Sequence, residues 1–159
     1  MITTIGNVFR ILVLFLMYKR RFRLAAVMWL VSYYFDCLDG YVARKYKMAS
    51  KWGSMYDHVS DIIIAVLILL AIWRINPKLC VWVLVIFIPY TILTYYFYTL
   101  QQSYYDDDTH TGLDMVIIYS IFPKTNKKNA ERILPYMRYF GSSTGIIISA
   151  VFIALLDRF

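Results

Sequence analysis

The chain has 159 residues, 60% of them hydrophobic and 18% aromatic, and carries a formal net charge of +7. Soluble domains are about 45–50% apolar. This excess, with a mean hydropathy of +0.55, excludes an ordinary water-exposed globule and predicts a helical membrane domain, read as one unit over 1–159. The positive charge does not imply a nucleic-acid partner, because no helix carries a long polar basic face; Lys and Arg fall in short loops between apolar stretches, where they meet membrane lipid headgroups.

In chain order, residues 2–18 form a short first span, and 24–43 and 54–73 a second and third, each near the ~20 apolar residues that cross a bilayer. The stretch 79–100 is a fourth, with Pro89 predicting a kink. The apolar stretch 113–122 is short, and 140–156 forms a last span. Six spans are expected, or five if 113–122 does not cross. The linkers are brief. Arg44 to Lys51 is basic, and Arg74 to Lys78 contains the turn signal Asn76-Pro77. Asp106 to Asp108 reads as a solvated acidic loop, and 123–132 as a basic, polar linker. The run Tyr95-Tyr96-Phe97-Tyr98 reads as an interfacial aromatic belt. The first apolar run precedes its basic cluster, Lys19 to Arg23, which is the reverse of a secretory signal. That cluster also opposes a cytoplasmic N-terminus under the positive-inside rule. Cys37 and Cys80 both lie in apolar stretches and give neither a disulfide framework nor a zinc spacing.

The chain has nine Asp and one Glu, and four of the Asp lie within the 26 residues from Asp36 to Asp61. Asp36, Asp39, Gly40, Ala43 and Arg44 recur at i, i+3, i+4, i+7 and i+8, which places them on one helical face. Gly53, Asp57 and Asp61 share a face of the next helix. A linker of about eight residues lets the two helices run antiparallel with their acidic faces opposed. An ionised Asp at mid-span costs roughly 2.5–3.5 kcal/mol, so four cost on the order of 10. Such residues in spans are functional candidates, and four neighbouring carboxylates stay ionised only beside cations. Arg44 supplies one positive charge. Oxygen donors suit Mg²⁺ or Mn²⁺ for the rest, and two such ions could clamp a pyrophosphate. Gly40, Ala43 and Gly53 leave a gap between the facing helices, either for a nucleotide or for close helix packing.

The full string, Asp36-x2-Asp39-Gly40-x2-Ala43-Arg44-x8-Gly53-x3-Asp57-x3-Asp61, resembles the signature of the CDP-alcohol phosphotransferase (phosphatidyltransferase) family. The resemblance implies an all-α integral membrane protein of about six transmembrane helices, homodimeric, with its active site near the cytoplasmic face. It implies that Asp36, Asp39 and Asp57 bind metal. Asp61 also touches metal and acts as the general base. Gly40, Ala43, Arg44, Ser50 and Gly53 surround the CDP moiety, and CMP is the leaving group. The first helix fits less closely: where family members often carry an Asn six residues before an Arg, this chain has Thr4 before Arg10, with Asn7 between. These three line the nucleotide pocket or form a polar entry to the first span.

The stretch from Ser50 to Asp57 is similar to phosphatidylinositol synthases, which implies CDP-diacylglycerol as donor and an inositol-type alcohol as acceptor. Met48 departs from that pattern, and His58 after Asp57 is instead similar to choline and ethanolamine phosphotransferases. Arg132 and Arg138 read as headgroup-facing, with the acceptor pocket as the second reading. Two other classes compete. A non-catalytic protein keeping the fold would be favoured by loss of a motif acid, and none is lost. A cation pathway needs acids near mid-span on several helices, whereas these lie on two.

Overall fold

The computed structural model describes residues 2–46, 51–105, 121–123 and 125–158, without the side chains of residues 2, 3, 44, 51, 52, 54, 57 and 58. The named elements among these residues are all helical: α1 (Ile2–Tyr18), α2 (Phe22–Lys45), α3 (Lys51–Ile75), α4 (Pro77–Tyr105), α5 (Lys127–Met137) and α6 (Ser142–Leu155), with short 3₁₀ turns at Arg138–Phe140 and Leu156–Arg158. The expected stretch 113–122 and the acidic loop Asp106 to Asp108 fall wholly or mostly outside the described residues.

The chain divides into two compact units, Met1–Trp82 with Ile146–Phe159, and Val83–Gly145. In the first, α1 and α2 form a hairpin closed by Lys19 to Arg21. Arg21 N donates to Leu16 O (2.8 Å) and Arg20 N to Met17 O (3.0 Å). This paired bond pattern ends a helix with one left-handed residue, and here that residue is Arg20, at φ 56°. Val13 and Met17 of α1 and Phe22, Ala25 and Ala26 of α2 are buried, while Phe9 stacks on Phe35 with ring centroids 5.3 Å apart. α1 also packs along α3. α6 joins this unit through Trp29 Nε1, which donates to Ser149 Oγ at 2.8 Å.

The turn signal at Asn76-Pro77 is realised as a helix start. Asn76 Oδ1 accepts from the backbone N–H groups of Lys78 (3.1 Å) and Leu79 (3.3 Å), and Pro77 takes the first helical position, where its missing donor is not needed. α4 then continues through Pro89.

The second unit holds most of α4 together with α5. Tyr90 OH donates to Gly141 O at 2.8 Å, and Tyr96 packs against Phe122 at 5.7 Å. The aromatic run at 95–98 turns inward: Phe97 is buried and Tyr95, Tyr96 and Tyr98 are half-buried, so it is not the outward-facing belt that composition suggests. The stretch 123–132 also departs from expectation, since α5 begins inside it at Lys127. Ala130, Ile133, Leu134 and Met137, at i, i+3, i+4 and i+7, are buried or half-buried, whereas Glu131 and Arg132 are exposed. A helix-spaced apolar stripe outweighs a polar average.

Val8, Ile11 and Phe15 on α1, Ile63, Leu70 and Trp73 on α3, and Trp82, Ile86 and Ile92 on α4 are exposed. Apolar surface this extensive does not suit water, and lipid is its natural solvent. By length and composition, Pro77–Tyr105 and Lys127–Arg158 are each able to cross a membrane.

Candidate active site

α2 runs unbroken to Lys45 and α3 begins at Lys51, so both helices outlast their apolar stretches and the connection is shorter than the linker expected from sequence. Arg and Lys are good helix formers, and at Arg44 and Lys45 the backbone hydrogen bonding of α2 continues whatever their polarity. The motif therefore lies within regular helix: Asp36, Asp39, Gly40, Ala43 and Arg44 in α2, and Gly53, Asp57 and Asp61 in α3. Ser50 and Met48 lie outside the described residues, as do the side chains of Arg44, Asp57 and His58. Asp39, Gly40 and Ala43 are half-buried and Gly53 is exposed.

The centre of the arrangement is Arg10. Its Nη2 stands 3.0 Å from Asp36 Oδ1 and its Nη1 2.8 Å from Asp61 Oδ1. The same Nη1 donates to Asn7 Oδ1 at 3.0 Å, and Asn7 Nδ2 donates to Tyr56 OH at 3.4 Å. One guanidinium from α1 thus fastens a carboxylate from α2 to one from α3. The planar fork of Arg suits this, because its two terminal nitrogens reach separate acceptors in fixed geometry. Arg10 is 7% exposed, and its side chain is far more enclosed than those of Asp36 (32%) and Asp61 (49%). The cation lies inside the helices and the acids open outward from it.

This revises the charge balance read from sequence. Arg44, the cation expected beside the acids, has its side chain outside the described residues; Arg10 is a further cation, and it holds Asp36 and Asp61. The signal was present: Arg10 is the only side chain in α1 charged at neutral pH, and a lone charge in an apolar helix needs a partner on a neighbour. Of the residues on the two acidic faces, Asp36 and Asp61 are brought together.

By formal charge, the four motif aspartates exceed Arg10 and Arg44 together. The donor set is entirely oxygen, which fits a hard divalent cation. With Arg10 holding Asp36 and Asp61, no three His, Cys, Asp or Glu among the described residues share a common point for an ion. Arg132 and Arg138 are exposed, and Arg138 Nη2 donates to Tyr139 OH at 2.7 Å.

No curated protein and no solved structure matches the chain. The family described as CDP-alcohol phosphatidyltransferase matches residues 1–156. Its members are membrane-integral phosphotransferases of phospholipid synthesis, generally dependent on a divalent metal, and this chain belongs to the CDP-alcohol phosphatidyltransferase family.

Proposed function

We propose that the protein transfers a phosphatidyl group from CDP-diacylglycerol to the hydroxyl of an inositol-type alcohol, releasing CMP. The observation that carries this is the joining of Asp36 and Asp61 on Arg10, which brings the ends of the motif to one place. The whole chain, 1–159, acts as a single transmembrane catalytic domain of about six spans. It works as a homodimer with the site near the cytoplasmic face.

Asp61 is the general base. It is the more open of the two paired carboxylates, so an acceptor hydroxyl can reach it. It takes the hydroxyl proton while that oxygen attacks the phosphorus bearing the diacylglycerol. The bond from that phosphorus to the oxygen of CMP breaks, and CMP leaves. Asp36, Asp39, Asp57 and Asp61 would hold Mg²⁺ or Mn²⁺, two ions in all, which when bound neutralise the pyrophosphate and its developing charge. Gly40, Ala43 and Gly53 leave room for the cytidine, with Arg44 and Ser50 beside it. Arg10 and Asn7 act as positioning residues, fixing Asp36 and Asp61 relative to each other.

The test is CMP release by the purified chain, given CDP-diacylglycerol, Mg²⁺ or Mn²⁺, and separately inositol, inositol phosphate, serine, glycerol phosphate or phosphatidylglycerol. Release with inositol or inositol phosphate is expected, and Asp61→Asn should lower it by about 10²–10⁴-fold. Activity only with CDP-choline and diacylglycerol would reassign the donor, in line with His58. Full activity in Asp61→Asn would remove the assigned base.

A further inference from the structure

Between the C-terminal halves of α1 and α3 lies a cavity of about 320 Å³. Leu14 and Met17 of α1 and Leu67, Ala71 and Ile75 of α3 give it apolar walls. Tyr18, Arg20 and Arg74, which also line it, are exposed. Arg20 lies ten residues beyond Arg10, roughly 15 Å along the helix direction, so this is not the carboxylate site. At ~30 Å³ per water, the cavity holds a headgroup and the start of a chain, not a whole lipid.

Two further observations give the cavity its chemistry. No ion pair joins Arg20 or Arg74 to a carboxylate among the described residues, and Arg20 belongs to the basic run Lys19-Arg20-Arg21-Phe22-Arg23. Arg20 also occupies the left-handed position of the turn, at φ 56°, where glycine is the usual residue and a long side chain is disfavoured. A side chain kept there against backbone preference is placed for something other than the turn.

We infer that this cavity binds an anionic phospholipid, with Arg20 and Arg74 on its phosphodiester and the apolar walls on the first carbons of its chains. The site is separate from the transfer chemistry and does not depend on it. It gives one member of the basic run, Arg20, a ligand; the others do not line the cavity.

The test is native mass spectrometry of the full chain purified in detergent and offered phosphatidylglycerol or phosphatidylcholine. Wild type should retain phosphatidylglycerol preferentially. Each of Arg20→Gln and Arg74→Gln should weaken retention by about fivefold, the worth of one interfacial charge. Ala71→Phe should lower it by narrowing the cavity with charge unchanged. Arg20→Gly separates ligand from fold: it suits the left-handed turn, so the thermal midpoint should not fall while retention does. Arg21→Gln with Arg23→Gln, outside the cavity, should leave retention within twofold. Equal retention of both lipids, unchanged retention in Ala71→Phe, or equal loss in the Arg21 and Arg23 control would overturn the site. So would saturation by glycerol 3-phosphate at the same concentration as the lipid, which would mark a soluble phosphate as the ligand.

Discussion

In α4, Thr91, Thr94, Thr99 and Ser103 each donate to the carbonyl four residues back, at 2.8, 3.0, 3.1 and 2.8 Å. In α1 to α3, Arg10, Asn7, Asp36 and Asp61 reach beyond their own helices instead. Both regions are apolar helices carrying polar side chains that low-dielectric surroundings penalise. Thr91 and Thr99 satisfy their hydroxyls within α4, whereas Ser103 Oγ also accepts from Thr125 N at 3.2 Å and Tyr90 OH reaches Gly141 O, so it is a hydroxyl bonded only to its own helix that can change without a neighbour noticing. α1 to α3 satisfy charge only by agreement between three helices, so the fold of that region and the geometry of its acids are one and the same arrangement. What sets α1 to α3 apart is that the shared groups are charged: a guanidinium and two carboxylates from three helices meet at one point.

Breaking the shared arrangement should have the largest effect. Arg10→Gln leaves Asp36 and Asp61 facing each other without their cation. The expected loss is about 1–3 kcal/mol of stability, the cost of charged hydrogen bonds lost rather than of a buried charge stranded, because both acids are partly exposed. CMP release should fall about 10²-fold with the acids no longer held. Arg10→Lys keeps the charge but is a point donor without a fork. It should recover much of the thermal midpoint and little of the turnover. Full turnover in Arg10→Lys would show that the charge alone matters and that the guanidinium does not orient the acids.

That arrangement also marks where reading the sequence succeeds. The spacing of Asp36, Asp39, Asp57 and Asp61 is a property of helices, and α2 and α3 preserve it because nothing between their ends breaks the backbone ladder. Arg10 lies 26 residues from the nearest of these acids, and no periodicity within α1 reveals which carboxylate it meets. That information resides in how α1 packs against α2 and α3. The inward turn of Phe97 was hidden for the same reason, since an aromatic run looks alike whether it faces lipid or protein. α5 was hidden differently: charges dominate the composition of 123–132, and three of the four residues that anchor the helix, Ile133, Leu134 and Met137, lie beyond that stretch.

Glycine sharpens the comparison at close packing. A Cβ added at Gly145 would fall 2.7 Å from Tyr90 Cε1. That ring is tethered by its bond to Gly141 O and by Phe140 at 6.0 Å, so it can tilt but not leave. Gly145→Ala should therefore cost about 1–2 kcal/mol, in the lower part of the overpacking range. At Gly6 the same atom would meet Phe35 Cβ at 3.7 Å and Ser32 O at 3.8 Å, which is ordinary contact. Gly6→Ala should be neutral or stabilising by about 0.5–1 kcal/mol through helix propensity. Thermal unfolding of both variants in one detergent checks the pair, and a larger loss at Gly6 would reverse the reading.

The smallest effect belongs to α4. Thr91 is exposed and bonds only Phe87 O of its own helix. Thr91→Val removes that bond but strands no partner, since the Phe87 carbonyl keeps its place in the helical ladder. Side-chain bonds of this kind slightly bend and weaken a helix, and even bonds between membrane helices average only about 0.6 kcal/mol. The thermal midpoint of Thr91→Val should thus stay within the equivalent of about 0.5 kcal/mol of wild type, and CMP release should be unchanged. Asn7→Leu is its counterpart in α1. It removes an acceptor that Arg10 uses, and so should lower CMP release even where stability changes little. If Thr91→Val were the more damaging of the two, the bond of Thr91 to Phe87 O would not be the self-contained contact its geometry describes.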